Sequence, residues 1–406
     1  MSKKNNTLRL GSMSGAGSLL ASLVCILAGL AIGFVVLLVL GWITLAQEGN
    51  ALTFGEMLKT TWDSGFKAIL HGGFYSTANV MGMGVRSEIL QAAPLIMTGL
   101  SVAFAFKTGL FNIGAAGQYT VGAYFALYSA IILKMPWWAC LLAATIGGAI
   151  WGAIPGIFKA FLNVNEVITA IMFNWIGLYG VNTLIYQAGV GPMYNTNTTK
   201  TYTIKQANPE ALLPTFNVQV GGKDYFAPMF APTIGIFIAI AVAVVIWVIL
   251  NKTTFGYELK ACGHNKNAAK YAGINDKKNI ILSMTIAGAL AGLGAGLFYL
   301  SGSKEWEPLV STALPAAGFN GISVALLASS NPLGCIFSAI FIAHITVGGG
   351  FMNASIFPGE VSDIISGVVI YLCAFSLLFK SGILKLLTPK PKKSVPAADN
   401  GKEADA

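Results

Sequence analysis

Long apolar runs, separated by short polar segments, make up most of the chain. Ten of these runs reach about the 20 residues that a helix needs to cross the roughly 30 Å hydrocarbon core of a bilayer. The runs are residues 18–46, 87–106, 110–132, 137–158, 166–189, 231–250, 280–301, 311–329, 332–349 and 359–379. Glycine and polar residues interrupt the third, eighth and ninth runs. The pattern predicts an all-α, polytopic membrane protein with about ten transmembrane helices.

The polar segments between the runs are short and predict one transmembrane domain over residues 18–379. Residues 1–17 are expected to form a cytoplasmic N-terminal segment, 190–230 an extracellular loop and 251–279 a cytoplasmic loop. Residues 380–406 are rich in lysine and proline and then acidic. They are predicted to be a disordered cytoplasmic tail whose basic part lies against anionic membrane lipid.

The composition excludes several classes of protein. Hydrophobic residues make up 55% of the 406 residues and charged residues only 10%, whereas a soluble domain has roughly 25% charged residues. The 47 glycines agree with helices that pack closely inside a membrane. A soluble enzyme, a disordered scaffold and a disulfide-stapled secreted domain are therefore excluded.

The net charge of +9 predicts the orientation of the chain and does not indicate a nucleic-acid partner. With both termini in the cytoplasm, 17 Lys and Arg residues fall on the cytoplasmic side and 8 on the other, as the positive-inside rule requires. Lys3, Lys4 and Arg9 precede the first run as in a signal peptide. That run exceeds the roughly 7–15 apolar residues of a signal peptide, so it is expected to stay in place as a membrane anchor.

The sequence lacks the motifs of common catalytic and cofactor sites. His71, His264 and His344 are isolated and stand in no metal-ligand spacing, and the five cysteines never form a CxxC pair. Neither the nucleophile motif GxSxG nor the ATP-binding motif GxxxxGK followed by Ser or Thr occurs. We therefore expect no metal, no cofactor and no catalytic residue in this chain, and any ATP hydrolysis on another subunit.

Ionisable residues are rare inside the runs, where a charge is costly and usually marks a proton or ion pathway. Glu88, Glu166 and Glu360 lie at the starts of runs, and Asp363 lies about one turn inside its run. A proton-coupled secondary carrier normally needs a buried acidic or histidine relay, so this pattern argues against one. Sodium coupling through neutral oxygen ligands stays open.

Neutral polar residues replace charge in three of the runs. Amide and hydroxyl side chains stand among glycines at 109–122 and 317–323, and polar side chains lie near one helical face at 165–175. These side chains either hydrogen-bond between helices or line a pathway for an uncharged polar solute. Three such segments favour a pathway, and its candidate residues are Asn112, Gln118, Glu166, Thr169, Asn174 and Asn320.

Two runs also carry glycines four residues apart. They are Gly148, Gly152 and Gly156 in the fourth run and Gly288, Gly292 and Gly296 in the seventh. This spacing predicts close crossings between helices, which is a structural role.

The 251–279 loop has the pattern of a short helix that docks on a partner. Asn265 is placed to cap a helix that begins at the next residue, and Gly273 is placed to end it. Ala268 and Ala269 would give this helix a small face. A basic helix between two spans suits a cleft on a cytoplasmic protein; alternatively, the loop only carries the positive charge of the cytoplasmic side.

Four motifs resemble those of ABC importer permeases, in the branch that holds simple-sugar, branched-chain amino-acid and nucleoside permeases. They are Gly-Leu-Phe-Asn-Ile-Gly-x-x-Gly-Gln at 109–118, Asn-Glu-Val-Ile-Thr at 165–169, Ala-Ala-Lys-Tyr-Ala-Gly-Ile at 268–274, and Gly-Phe-Asn-Gly-Ile-Ser-Val-Ala-Leu-Leu with Asn-Pro-Leu-Gly at 318–334. The motifs span about residues 90–375 and resemble the nucleoside-type permeases most. Two positions depart from that pattern: Ala116, where relatives usually have Glu, and Asn320, where they often have Asp.

The resemblance implies a permease subunit, not an enzyme, that imports nucleosides across a bacterial cell membrane by alternating access. It implies as partners a cytoplasmic ABC ATPase, a second permease subunit that is expected to be a different chain, and an extracytoplasmic substrate-binding lipoprotein. Closure of the ATPase would pull on the loop, whose candidate coupling residues are Glu258, Gly263, Asn265, Ala268, Ala269 and Gly273. The alternative functions are a simple-sugar permease of the same kind and a self-sufficient secondary carrier of polar solutes.

Overall fold

The computed structural model describes residues 2–47, 53–74, 81–215, 233–308, 313–358 and 360–374. Fifteen α-helices carry most of these described residues. They are α1 (Ser2–Gln47), α2 (Phe54–Thr61), α3 (Lys67–His71), α4 (Met81–Lys107), α5 (Ala115–Ile131), α6 (Trp137–Leu162), α7 (Glu166–Tyr186), α8 (Ile204–Ala207), α9 (Ile234–Lys252), α10 (Thr254–His264), α11 (Lys266–Tyr271), α12 (Asp276–Tyr299), α13 (Ala316–Leu327), α14 (Pro332–Gly349) and α15 (Glu360–Ala374). An antiparallel hairpin of β1 (Tyr194–Asn195) and β2 (Lys200–Thr201) lies between α7 and α8. The predicted all-α class is confirmed.

Seven helices within the described ranges are long and apolar enough to cross a membrane, namely α1, α4, α6, α7, α9, α12 and α14. Each of the ten predicted runs overlaps one helix, and the prediction of a polytopic membrane protein is confirmed. The other three helices, α5, α13 and α15, have 17, 12 and 15 described residues. α13 is shorter than the predicted run 311–329, because Pro315 precedes its first turn and Ser329 and Ser330 have left-handed backbone after its last.

α12 lies at the centre of the fold and packs against α4, α5 and α6. The glycine rows of α6 and α12 meet at the crossing of these two helices. A Cβ on Gly288 would lie 2.8 Å from the Cα of Gly152, and a Cβ on Gly292 would lie 2.9 Å from the Cα of Gly148. No side chain fits at such distances, so the two backbones touch. The predicted close crossing is confirmed, and each row is the partner of the other.

The first helix packs against the last described one, α15. α1 begins at Ser2, so the predicted N-terminal segment 1–17 supplies its first turns. The segment 53–74 follows α1 and packs against α1, α4 and α14. Oε1 of Glu88 in α4 lies 3.2 Å from Nδ1 of His344 in α14, and the N–H of Gly73 donates to Oε2 of Glu88 over 3.0 Å. Nε2 of His344 also lies 3.0 Å from the carbonyl oxygen of Leu70, so these contacts fix segment 53–74 to both helices.

The two predicted loops lie at opposite ends of the helices. α10 and α11 join the end of α9 to the start of α12, whereas β2 bonds to the segment after α12 through the N–H of Thr201 and the carbonyl of Trp306, 2.9 Å apart. The 24 residues of α12 separate these positions by about 36 Å. We call them the α10–α11 end and the hairpin end. Residues 216–230 of the 190–230 loop and the 380–406 tail lie outside the described residues.

Candidate functional site

A cavity of about 460 Å³ lies between the helices. Residues of α4, α5, α13, α14 and α15 enclose it, together with the end of α12 and the segment that follows α12. It lies toward the hairpin end, because the last residues of α12 and Thr346, near the end of α14, line it. Its volume falls within the roughly 300–1,000 Å³ of small-molecule sites. The cavity is therefore the candidate site for a small solute.

Aromatic rings form one wall of the cavity. Tyr119, Phe298, Tyr299 and Trp306 line it. The ring centroid of Tyr299 lies 5.3, 5.7 and 6.3 Å from those of Phe298, Trp306 and Tyr119. The indole N–H of Trp306 donates to Oδ1 of Asn182 in α7 over 2.8 Å, which fixes the ring. Such an aromatic wall can stack against a planar ring or pack on the apolar face of a sugar.

Two amide side chains, Gln91 of α4 and Asn320 of α13, also line the cavity. Neither makes a side-chain hydrogen bond in the part of the chain that the structure describes. Each amide can both donate and accept, so both can bind polar groups of a solute. α13 begins at the same place, since Pro315 and Ala316 line the cavity. The first N–H groups of α13, which have no partner inside the helix, therefore lie beside it.

Charged groups of the cavity come from the segment after α12 and from α15. They are Lys304, Glu305, Glu307 and Asp363. Nζ of Lys200 in β2 lies 2.8 Å from Oε1 of Glu307, and this hydrogen bond holds the pKa of Glu307 below its usual value and raises that of Lys200. The two side chains are partly exposed, at 39% and 26%, so the pair orients the segment more than it stabilises the fold. Among the described residues, no three His, Cys, Asp or Glu side chains gather as metal ligands.

Three predicted pathway residues meet beside the turn between α4 and α5. Asn112 donates from Nδ2 to Oε1 of Gln118 over 2.8 Å and to Oγ of Ser101 over 2.9 Å, and Gln118 donates back over 3.0 Å. Asn174 of α7 bonds to the backbone of the same region over 2.8 and 3.0 Å. We call Ser101, Asn112, Gln118 and Asn174 the amide cluster. Its members are at most 2% exposed and bonded to protein, so the amide cluster ties α4, α5 and α7 together.

Two further predicted pathway residues lie at the start of α7, outside the cavity. Glu166 pairs with Lys159 of α6 over 2.9 Å, and the hydroxyl of Thr169 donates to the carbonyl of Asn165 over 3.1 Å. An apolar groove of about 220 Å³ passes Thr169 between α6 and α7. Of the six predicted residues, the cavity contains Asn320. A transport role for the other five stays a prediction.

The sequence patterns missed most residues that line the cavity. Gln91 stands alone within an apolar run, without the glycines that marked the predicted segments. Phe298 and Tyr299 end a run, where aromatic residues are typical of the membrane interface. Trp306 had one usable signal, because it stands between two glutamates in a short segment between two spans.

α10 and α11 each begin with a side-chain cap. The hydroxyl of Thr253 accepts the N–H of Gly256 over 3.1 Å, and Oδ1 of Asn265 accepts the N–H of Ala268 over 3.0 Å. Gly273 follows α11 with a left-handed φ of +80°. The predicted cap and the predicted end of this helix are confirmed, whereas α10 had no counterpart in the sequence patterns.

The predicted coupling residues of α10 and α11 differ in exposure. Gly263, Asn265, Ala268 and Gly273 are exposed, whereas Glu258 is half-buried and Ala269 is buried. Gly263 also contacts the turn between α4 and α5. Large exposed side chains of this region are Tyr257 and Tyr271, which are 70% and 95% exposed and were not predicted. Exposed aromatic residues are typical of protein interfaces.

Comparison with known proteins agrees with this architecture. Residues 86–374 match the family described as branched-chain amino acid transport system / permease component. The guanosine ABC transporter permease protein NupP of Bacillus subtilis is 34% identical over 90% of this chain and 97% of its own length. The nucleoside ABC transporter permease protein NupB of Lactococcus lactis is 34% identical over 75% and 82%, and the glucose ABC transporter permease protein TsgB13 of Haloferax volcanii 29% identical over 79% and 84%. No solved structure matches the chain.

The family match includes the cavity, the amide cluster and both helices of the α10–α11 end. The long apolar helices place the protein in the cell membrane, and the family is one of transport proteins. The chain therefore belongs to the branched-chain amino acid transport system/permease component family, and it is a membrane-spanning permease subunit of an ABC transporter and not an enzyme.

Proposed function

We propose that this permease imports nucleosides and that the cavity holds them during passage. The cavity itself carries the proposal, because its aromatic wall lies beside two amides, Gln91 and Asn320, that make no side-chain hydrogen bond within the described residues. A nucleoside has a planar base that stacks on aromatic rings, and base-edge and ribose groups that hydrogen-bond. The relatives named guanosine and nucleoside permeases support the same class of substrate.

The amide cluster is the closed side of the pathway in this proposal. It is adjacent to the cavity through Gln118 and Tyr119, and it also adjoins the turn that contacts α10. Release of the solute toward the α10–α11 end then requires α4, α5 and α7 to separate. The solute would pass neutral amides, which suits an uncharged polar molecule.

The proposed partners dock at the two ends of the helices. The ABC ATPase binds the α10–α11 end, where Tyr271 is exposed and where Asn265, Ala268 and Gly273 flank it on the surface. The substrate-binding lipoprotein delivers nucleoside at the hairpin end, which is nearer to the cavity. A second permease subunit, a different chain, completes the transporter within the membrane.

Uptake measurements test the proposed substrate. Deleting the gene should abolish ATP-dependent uptake of labelled nucleosides, and the wild-type gene should restore it. Phe298→Ala removes a ring from the cavity wall, and since stacking of a base is worth about 1–3 kcal/mol, apparent affinity should fall by about 5- to 160-fold. Phe337→Ala is the matched control, because this ring is 76% exposed on α14 and should leave uptake unchanged.

The deletion also supplies the contradicting result. Undiminished high-affinity nucleoside uptake without the gene would show that this chain does not carry the transport. A Phe298→Ala variant that inserts normally and transports nucleosides with wild-type affinity would remove the cavity from the pathway.

Simple sugars are a second candidate, because the relative from Haloferax volcanii is named a glucose permease. Aromatic rings also pack against the apolar face of a sugar, so the wall alone does not separate the two classes. Competition does separate them. Excess unlabelled nucleoside should suppress uptake of labelled nucleoside, whereas free ribose and glucose should not; suppression by the sugars alone would favour the sugar assignment.

A further inference from the structure

Two glycines from distant parts of the chain meet backbone to backbone at the α10–α11 end. Gly263 lies one residue before the end of α10, and Gly109 lies in the turn after α4. A Cβ on Gly263 would lie 2.5 Å from the carbonyl carbon of Thr108, and a Cβ on Gly109 would lie 2.7 Å from the carbonyl oxygen of Gly263 and clash with its Cα. Neither position can carry a side chain unless α10 moves away from the turn.

The same contact is held by side chains of α12. The hydroxyl of Thr108 bonds to that of Ser283, and Nδ2 of Asn279 donates to Sγ of Cys262, the residue before Gly263, over 3.5 Å. Thr108, Ser283 and Asn279 are all buried. α10, the turn and the first half of α12 are therefore fastened to one another at this point.

The turn leads directly to the amide cluster and then to the cavity. Gly109 is three residues from Asn112, whose partner Gln118 precedes Tyr119 of the cavity wall. Because Asn112 and Gln118 hydrogen-bond to each other in both directions, the turn and the first turn of α5 are held together. A displacement of α10 at Gly263 therefore displaces the start of α5, and with it Tyr119.

We propose that the contact between Gly109 and Gly263 transmits the movement of α10 to α5 and to the wall of the cavity. The two glycines are thus positioning residues for ATP-driven transport, since they touch neither ATP nor solute. Only glycine at both positions allows the backbones of α10 and the turn to stay in direct contact. The inference rests on the proposed docking of the ATPase at the α10–α11 end. It assigns Gly263 to the contact within the permease and leaves the ATPase surface to Tyr271 and its exposed neighbours.

The test measures nucleoside transported per ATP hydrolysed by the complete transporter in lipid vesicles. Gly263→Ala forces α10 off the turn and should lower this ratio roughly tenfold, while ATP hydrolysis and co-purification of the ATPase persist. Gly180→Ala is the matched control, because a Cβ at this helical glycine of α7 meets nothing within 4 Å. It should keep the wild-type ratio.

Thr108→Val is the second variant, for the case in which Gly263→Ala does not assemble. It keeps the shape of the side chain and removes the bond to Ser283, and it should lower the ratio in the same direction by a smaller factor.

An unchanged ratio would overturn the inference, even if transport and ATP hydrolysis both fall. A contact that only stabilises the fold lowers the two rates in equal proportion. Failure of the proposed substrate is a separate result. It would appear as a wild-type transporter that moves no nucleoside, and the ratio could then be measured with the solute that it does move.

Discussion

The amide side chains of the permease fall into two environments. Asn112 is buried and bonded to Ser101 and Gln118, whereas Asn320 lines the cavity without a side-chain hydrogen bond in the described part of the chain. The first environment stabilises the fold, and the second can bind a solute. Residues of one chemical type therefore have different roles at positions that the sequence alone does not distinguish.

Leucine substitutions at Asn112 and Asn320 should affect different properties, stability at the first position and transport at the second. Asn112→Leu leaves buried polar partners unsatisfied, so it should destabilise the protein by about 1–3 kcal/mol, measured as a lower Tm in detergent. Asn320→Leu should keep the wild-type Tm and lower nucleoside uptake. A stable Asn112→Leu variant with abolished uptake would instead indicate that Asn112 contacts the solute.

Tyr271 offers a test of the partner surface. Its side chain is 95% exposed at the α10–α11 end, and truncating an aromatic anchor of an interface commonly costs about 2 kcal/mol of binding free energy. Tyr271→Ala should therefore weaken co-purification of the ATPase markedly. Tyr202→Ala, at an exposed tyrosine of the hairpin end, should not affect it. Equal retention of the ATPase by both variants would place the docking surface elsewhere.

At the residue scale, the sequence predicts the role of a residue when that role depends only on the neighbouring backbone. Asn265 caps α11 and Gly273 ends it, as their types and spacing indicate. Whether Asn112 and Gln118 meet each other or a solute depends on the turn that brings them together, and polarity alone does not report that geometry. Gln91 was missed for the same reason: only the fold places it in one cavity with Asn320.

At the scale of elements, the crossing of α6 and α12 brings two backbones into direct contact. Gly148, Gly152, Gly288 and Gly292 let the two backbones touch. Gly288→Leu inserts a side chain where a Cβ already lies 2.8 Å from the Cα of Gly152, so α6 and α12 must separate. We expect a loss of at least about 1–3 kcal/mol of stability, measured by thermal unfolding.

The control for this substitution is Gly180→Leu, at an open position of α7, which should unfold at the wild-type temperature. Equal unfolding temperatures for the two variants would show that leucine at the crossing costs no more stability than leucine at an open position. The close contact of α6 and α12 would then not be required for stability.

Helices were the most predictable elements, because each apolar run overlaps one of them. The lengths were less predictable. α13 has 12 residues although its run has the composition of a full span, since Pro315 and the left-handed Ser329 and Ser330 bound it. α10 was missed because its residues are mixed in polarity, and its position depends on packing at Gly256, Leu259 and Gly263.

For the whole molecule, the cavity and the proposed ATPase surface lie toward opposite ends of the helices. Cysteine labelling can assign each end to a side of the membrane. In a chain whose five native cysteines are replaced by alanine, Thr198→Cys should react with an impermeant maleimide from outside intact cells, and Asn267→Cys only after the membrane is opened. The reverse pattern would invert the orientation that the distribution of basic residues predicts.

The short helix α13 also bears on how the protein is made. Its 12 residues span about 18 Å, well below the hydrocarbon thickness, so α13 as folded cannot cross the bilayer core by itself. A compact turn joins it to α14, with the N–H of Ser330 bonded to the carbonyl of Ala325 over 2.7 Å. We therefore expect α13 to be inserted as a hairpin with α14 during synthesis. Because Asp363 of α15 also lines the cavity, the nascent permease completes it only after the ribosome has translated beyond Asp363.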